Sequence, residues 1–151
     1  MATTIVAADA IVTLTVTLSL GGKAFDISFT KTLSSCTRAD RNIVPVRVAS
    51  EQEIVELFAG AGAIGKGSFA SFDGFFIMNR DNTNFVRIRY SENGGDTVDF
   101  KLGPGDFMIL WNEEIEVNTT EAAFGNFVDL DTVSMQADTA EVDIEYLAIK
   151  I

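Results

Sequence analysis

Three groups of residues in this sequence have types and spacings that chemistry could use. The segment Gly60-Ala61-Gly62-Ala63-Ile64-Gly65-Lys66-Gly67 matches G-x-G-x-x-G and all but the last position of G-x-x-x-x-G-K-[ST]. A phosphate cradle needs a strand before it and a helix after it, so that the helix N-terminus faces the anion; here a helix is expected first and strands follow. The position that should supply a Mg²⁺-binding hydroxyl is Gly67, with Ser68 one place late, so the segment reads as a surface loop. Asn79, Asp81, Asn82 and Asn84 offer oxygen ligands at short spacing, as hard cations prefer. They lack the downstream bidentate Glu and the glycine of a Ca²⁺ loop, and Asn/Asp-rich turns cap their own backbone routinely. Three carboxylate pairs, Glu113 with Glu114, Asp129 with Asp131 and Asp143 with Glu145, could serve a glycosidase given a cleft, a set separation and one raised pKa. Asp143 and Glu145 alternate with Val142, Ile144 and Tyr146, the pattern of a solvated strand face. No catalytic, cofactor-binding or metal-ligating residue is assigned, and the chain is expected not to be an enzyme.

Composition narrows the chemistry further. The sequence has no histidine, which removes the commonest general base, the commonest zinc ligand and the middle member of a Ser-His-Asp arrangement. Asp and Glu outnumber Lys and Arg by 22 to 11, and a net charge of −11 repels phosphate backbones and anionic membrane surfaces. Cys36 is the single cysteine, so no intrachain disulfide or thiolate cluster can form, which favours a reducing compartment. Met1 to Ala10 carries no Lys or Arg before its apolar residues, and no apolar run approaches about 18 residues, so neither a signal peptide nor a membrane span is expected. At 151 residues with 47% hydrophobic content and twelve Phe, the chain is expected to form one domain, 1–151, able to fold alone or with copies of itself.

The elements that must position any site are strands. Val12, Leu14, Val16, Leu18 and Leu20 alternate with Thr13, Thr15, Thr17 and Ser19, a period of two. After Gly21-Gly22, Phe25, Ile27 and Phe29 alternate with Asp26, Ser28 and Thr30, and a two-residue Gly-Gly loop pairs Leu18 with Phe25, Val16 with Ile27 and Leu14 with Phe29. Ile43 to Val48 reads as a strand that Pro45 confines to an edge or a bulge. Ser50-Glu51-Gln52-Glu53 fits a capping box ahead of Ile54, Val55, Leu57 and Phe58, predicting one short helix near 51–58.

Residues Phe75 to Trp111 read as a meander of short apolar runs separated by Asn/Asp/Gly/Pro clusters. A five-residue loop, Glu92 to Asp96, aligns Ile88 with Phe100 and Arg89 with Asp99. Gly103-Pro104-Gly105-Asp106 has Pro and Gly where a type II turn wants them. Phe107 to Trp111 is apolar on both faces, which fits a central strand or one at a subunit contact. Val133, Met135 and Ala137, then Val142, Ile144 and Tyr146, predict a last pair of strands around Asp138-Thr139-Ala140.

The sum is an all-β fold, a single antiparallel β-sandwich, jelly-roll-like, of about nine strands with the one short helix. Residues 1–10 are expected as an extended N-terminal arm. With the Gly60 to Gly67 loop and the Thr30 to Asn42 connection, they are the segments expected to make contacts. Trp111, Phe85 and Tyr90 could form a sugar-stacking platform, with Phe85 the aromatic expected to be exposed.

The run Ile77-Met78-Asn79-Arg80-Asp81-Asn82-Thr83-Asn84-Phe85-Val86-Arg87-Ile88-Arg89, followed by Leu102-Gly103-Pro104-Gly105-Asp106, resembles a pattern of small β-sandwich structural proteins of tailed bacteriophages. The closing segment from Ala137 to Tyr146 fits it too. These are turn and strand signatures, and no site residue transfers with them. The resemblance implies a virion component assembled in the host bacterial cytoplasm. As a capsid decoration or cement protein it would contact copies of itself and the major capsid protein; as a tail or head-tail junction protein, neighbouring virion proteins. It implies a homo-oligomer with no cofactor, no nucleic acid and no membrane as partner. A different class remains open, a carbohydrate- or cell-surface-binding module using exposed aromatics and Ca²⁺ near Asn79 and Asp81.

Overall fold

The computed structural model describes residues 7–56, 67–68, 73–91, 97–111, 116–117, 128–129 and 132–151, with 53–56, 67–68, 116–117 and 128–129 as backbone only. The chain is all-β, with fifteen strand segments and no helix among the described residues. In order these are β1 (Ala8–Val16), β2 (Ser19–Leu20), β3 (Lys23–Ala24), β4 (Ile27–Cys36), β5 (Arg38–Val46), β6 (Gln52–Glu56), β7 (Gly67–Ser68) and β8 (Gly74–Asn79). There follow β9 (Val86–Ser91), β10 (Thr97–Leu102), β11 (Phe107–Trp111), β12 (Glu116–Val117), β13 (Val128–Asp129), β14 (Thr132–Ala137) and β15 (Val142–Lys150).

Two larger sheets have the orders β10-β9-β14-β6-β7 and β11-β8-β15-β5, and three two-stranded ladders are β1-β4, β2-β3 and β12-β13. Every ladder is antiparallel except the short contact of β6 with β7. Alternation explains which faces are buried. Val86, Ile88 and Tyr90 of β9 are buried while Arg87 and Arg89 between them are half-buried, as a period of two requires. With Val133, Met135 and Ala137 of β14 they join Phe75 and Ile77 of β8 and Val142, Ile144, Tyr146 and Ala148 of β15 in one core fed by both larger sheets. Phe75 and Tyr146 stack within it at 6.3 Å between ring centroids. Each large apolar side chain so buried contributes roughly 1.5–3 kcal/mol.

The meander expected over Phe75 to Trp111 does not form. Of its four strands only β9 and β10 pair as sequence neighbours, while β8 and β11 pair with each other in the other sheet, and only the local register and turn expectations hold. Ile88 lies opposite Phe100 and Arg89 opposite Asp99. Gly105 has φ +72° and the Asp106 amide donates to Gly103 O at 3.1 Å, the type II turn expected of Gly-Pro-Gly-Asp. β5 lies at a sheet edge, where Pro45 needs no ladder partner on one side.

Five further expectations are corrected. The short helix near 51–58 is absent over 52–56, which form β6 paired with β14; 57–58 lie outside the described residues. The reason lies in long-range contacts: the Glu51 carboxylate, instead of capping, accepts from Arg87 at 2.7 Å, from Arg89 at 3.0 Å and from the Ser134 hydroxyl, while β-branched Ile54 and Val55 suit a strand. Phe107–Trp111 is an edge strand, not a central one, and Phe107 is exposed. β14 and β15 are consecutive but do not pair; each sits inside a different sheet. Thr30 to Asn42 is not a loose connection but the end of β4 and the start of β5. Of residues 1–10, 1–6 lie outside the described residues and Ala8–Ala10 already belong to β1.

Candidate interaction surface

The feature that invites a functional reading is the hairpin of β1 and β4 with its tip, β2 and β3. Strict alternation puts Leu14 opposite Phe29 and Val16 opposite Ile27, and the Phe25 amide donates to Leu18 O at 2.8 Å, so the expected register holds. At the tip Leu20 lies opposite Lys23 across Gly21 (φ +59°) and Gly22 (φ +78°). Positive φ at both central residues is the type I′ geometry that matches strand twist, and glycine takes it without a Cβ penalty. On the opposite face the Thr13 and Thr30 hydroxyls lie 3.2 Å apart, and at the edge Asp26 Oδ1 accepts from the Leu18 amide at 3.3 Å.

The apolar face of this hairpin is core at its base and open beyond it. Leu33, opposite Ala10, is fully buried, with its Cδ1 and the Trp111 ring closing over Gly74 of β8. Ser35 takes a positive φ of 62°, and its amide donates to Asp9 Oδ1 at 3.2 Å, fixing the bend where β4 leaves the body. The Thr37 amide donates to Lys150 O at 2.9 Å, and a shallow hollow of about 250 Å³ lined by Ala8, Ala10, Cys36, Arg38 and Ile149 marks the joint. Farther out, Leu14, Val16, Leu18, Leu20, Phe25, Ile27 and Phe29 are between 42% and 67% exposed. From these fractions the seven residues expose on the order of 700 Å², main chain included, which is comparable with the about 300–600 Å² of the largest apolar patch on an ordinary monomer. An isolated two-stranded hairpin is marginal in water, so this face gains most from being covered.

Among the described residues, those singled out for chemistry do not converge. Asn79 is buried, its Nδ2 donating to Asn84 O at 2.9 Å and Leu102 O at 3.3 Å, its Oδ1 accepting from the Asp81 amide at 2.9 Å. Asp81 Oδ1 accepts the Thr83 and Asn84 amides, both at 2.6 Å, and those two amides, Asn84 foremost, hold its carboxyl below the usual range. Asn82 Oδ1 accepts the Thr83 hydroxyl and Asn84 Oδ1 the Thr139 hydroxyl, so the cluster is a turn capping itself. Among the described residues no group of three His, Cys, Asp or Glu side chains could hold a metal ion.

Residues 60–66 lie outside the described residues, as do Glu113, Glu114 and Asp131, and Asp129 is described as backbone only. Asp143 is exposed, whereas Glu145, expected on a solvated face, is buried and receives the Arg41 guanidinium (Nε at 2.9 Å) and Arg80 Nη1 at 3.3 Å. That hydrogen bond, with both positive charges, lowers its pKa. The aromatic platform does not form: Tyr90 is in the core, where burial raises its phenol, and Phe85 is half-buried beneath Lys101 Nζ, 4.1 Å from its ring centroid.

Sequence reasoning missed a polar network on the outer face of the five-stranded sheet. Arg89 makes a fork to Asp99 at 2.7 and 2.8 Å, lowering the carboxyl, and Glu51 ties Arg87, Arg89 and Ser134 together. The Arg89–Asp99 pairing was legible from loop length; the place of Glu51 was not, because its spacing imitates a helix cap. No helix among the described residues is long and apolar enough to cross a membrane. Comparison with protein-family models, with curated proteins and with solved structures finds no match.

Proposed function

We propose that this chain is a non-enzymatic structural subunit, a capsid decoration or cement protein of a tailed bacteriophage virion, folded as a jelly-roll-like β-sandwich. The sandwich reading draws support from a core to which both larger sheets contribute. The observation that carries the functional reading is the hairpin whose apolar face, core at Leu33, continues uncovered to Leu20 and Phe25. Such a surface acts by burying area against a neighbour, and many copies convert weak contacts into firm attachment. The virion assignment rests on the resemblance of residues 77–89, 102–106 and 137–146. In this reading the chain assembles in the bacterial cytoplasm and ends on the particle.

Quantitative mass spectrometry of purified particles tests it. A copy number comparable to that of the major shell protein supports decoration, and a far smaller one moves the chain to the tail or head-tail junction. Absence from particles ends the proposal.

A further inference from the structure

We infer that the hairpin is a homotypic contact, and that its apolar face, Leu14 to Leu20 with Phe25 to Phe29, packs against the same face of a second copy. The inference deepens the structural-subunit reading by naming the partner and the surface. Three observations select a second copy.

The first is area. About 700 Å² on each partner is close to the roughly 800 Å² per side of a standard specific interface, and a two-fold arrangement matches the patch with a patch of equal size. The second is charge. With a net charge of −11, two copies repel in most orientations. This face carries no carboxylate: its charged residues are Lys23 at the tip and Lys31 at the base, opposite Leu20 and Val12, while Asp26 lies off the face. Self-association through it brings no acid against acid. The third is continuity. The same stripe is already core at Leu33, so a second face laid on the outer portion extends an existing apolar contact instead of creating an isolated one.

The test is sedimentation equilibrium of the full chain from about 1 to about 100 µM, a span that brackets micromolar association. The wild type should sediment as a dimer of the 16.3 kDa chain at the upper end. Leu18→Glu with Ile27→Glu should weaken association by at least about 100-fold, because each copy then places two unpaired carboxylates in the contact. Both positions are about half or more exposed in one copy, and unchanged circular dichroism and melting of the monomer check that the fold survives. Two single variants are the controls: Ile11→Glu, exposed on the threonine face of the hairpin, and Phe107→Glu, exposed on the edge strand β11. Each should leave the dimer intact.

A wild type that stays monomeric throughout overturns the inference. So does a loss of association in either control equal to that of the double variant. Failure here is separable from failure of the structural-subunit reading, since a monomeric chain found in particles keeps the latter, and a dimeric chain absent from them keeps only the contact.

Discussion

Gly74→Ala and Leu33→Ala form a pair whose coupling can be worked from the packing at the base of the hairpin. A Cβ on Gly74 would sit 3.0 Å from Leu33 Cδ1 and 3.1 and 3.2 Å from Trp111 Cε3 and Cζ3. All three are closer than ordinary carbon contacts, and Leu33 is fully buried, so it has little room to move. Gly74→Ala should therefore cost about 1–2 kcal/mol by overpacking. Leu33→Ala should cost about 2–4 kcal/mol from lost burial and the cavity left behind. In the double variant the new methyl occupies part of that cavity, so its cost should fall short of the sum by at least about 1 kcal/mol. Trp111 is the single tryptophan and lies against the site, so urea unfolding followed by its fluorescence and by far-UV circular dichroism reads the effect twice. Additive costs within about 0.5 kcal/mol, or a neutral Gly74→Ala, would refute the claim that hairpin and body close over Gly74.

Asn79→Ala should cost about 2–4 kcal/mol in urea unfolding, since it strips the turn's capping partners and leaves the Leu102 carbonyl, within 3.3 Å of Asn79 Nδ2, short of a donor. Gly21→Val should cost about 1–2 kcal/mol, because a β-branched residue resists φ +59°, with faster hydrogen exchange confined to β1 through β4. Asp81, Asp99 and Glu145 are all held below their ordinary values of 3.8 for aspartate and 4.5 for glutamate. The unfolded chain then binds protons before the folded one, so stability should be full above those values and fall as pH drops through the lower folded-state values. Glu145→Gln should flatten that acid limb in melts at stepped pH. Calcium at about 1 mM should leave the melting temperature unchanged, because Asp81 Oδ1 already accepts two amides; a clear rise would reinstate a cation there.

Short-range pairing was legible because face matching and loop length over-determine it. A slip of one residue in the hairpin would turn Val16 and Ile27 to opposite faces, and an altered loop at 92–96 would set Ile88 against Asp99 or Lys101. Long-range placement was not legible. Nothing in Val142–Lys150 says that this strand lies between β5 and β8, since those partners are distant in sequence and the alternation of β15 suits any neighbour with an apolar inner face. The strand 52–56 was hidden for a related reason: five residues are too few to separate a period of two from 3.6, and the deciding contact is Glu51 with Arg87, 36 positions away. The hairpin's two faces could be read, but not which would stay uncovered. That depends on the joint at Leu33, Gly74 and Trp111, which brings together three separate stretches of chain.

The order in which the strands are made has a consequence for the cell. β15 lies inside one sheet and β14 inside the other, and a ribosome produces both after every strand they join. Until they emerge, β5, β8, β6 and β9 wait without their shared neighbours, whereas β1 and β4, joined by a short local turn, can zip at once. A nascent chain thus displays its stickiest ribbon before it owns a body to hold it. Early protection, by a chaperone or by the ribbon of a sister polypeptide on the same message, would decide how much of the product stays soluble.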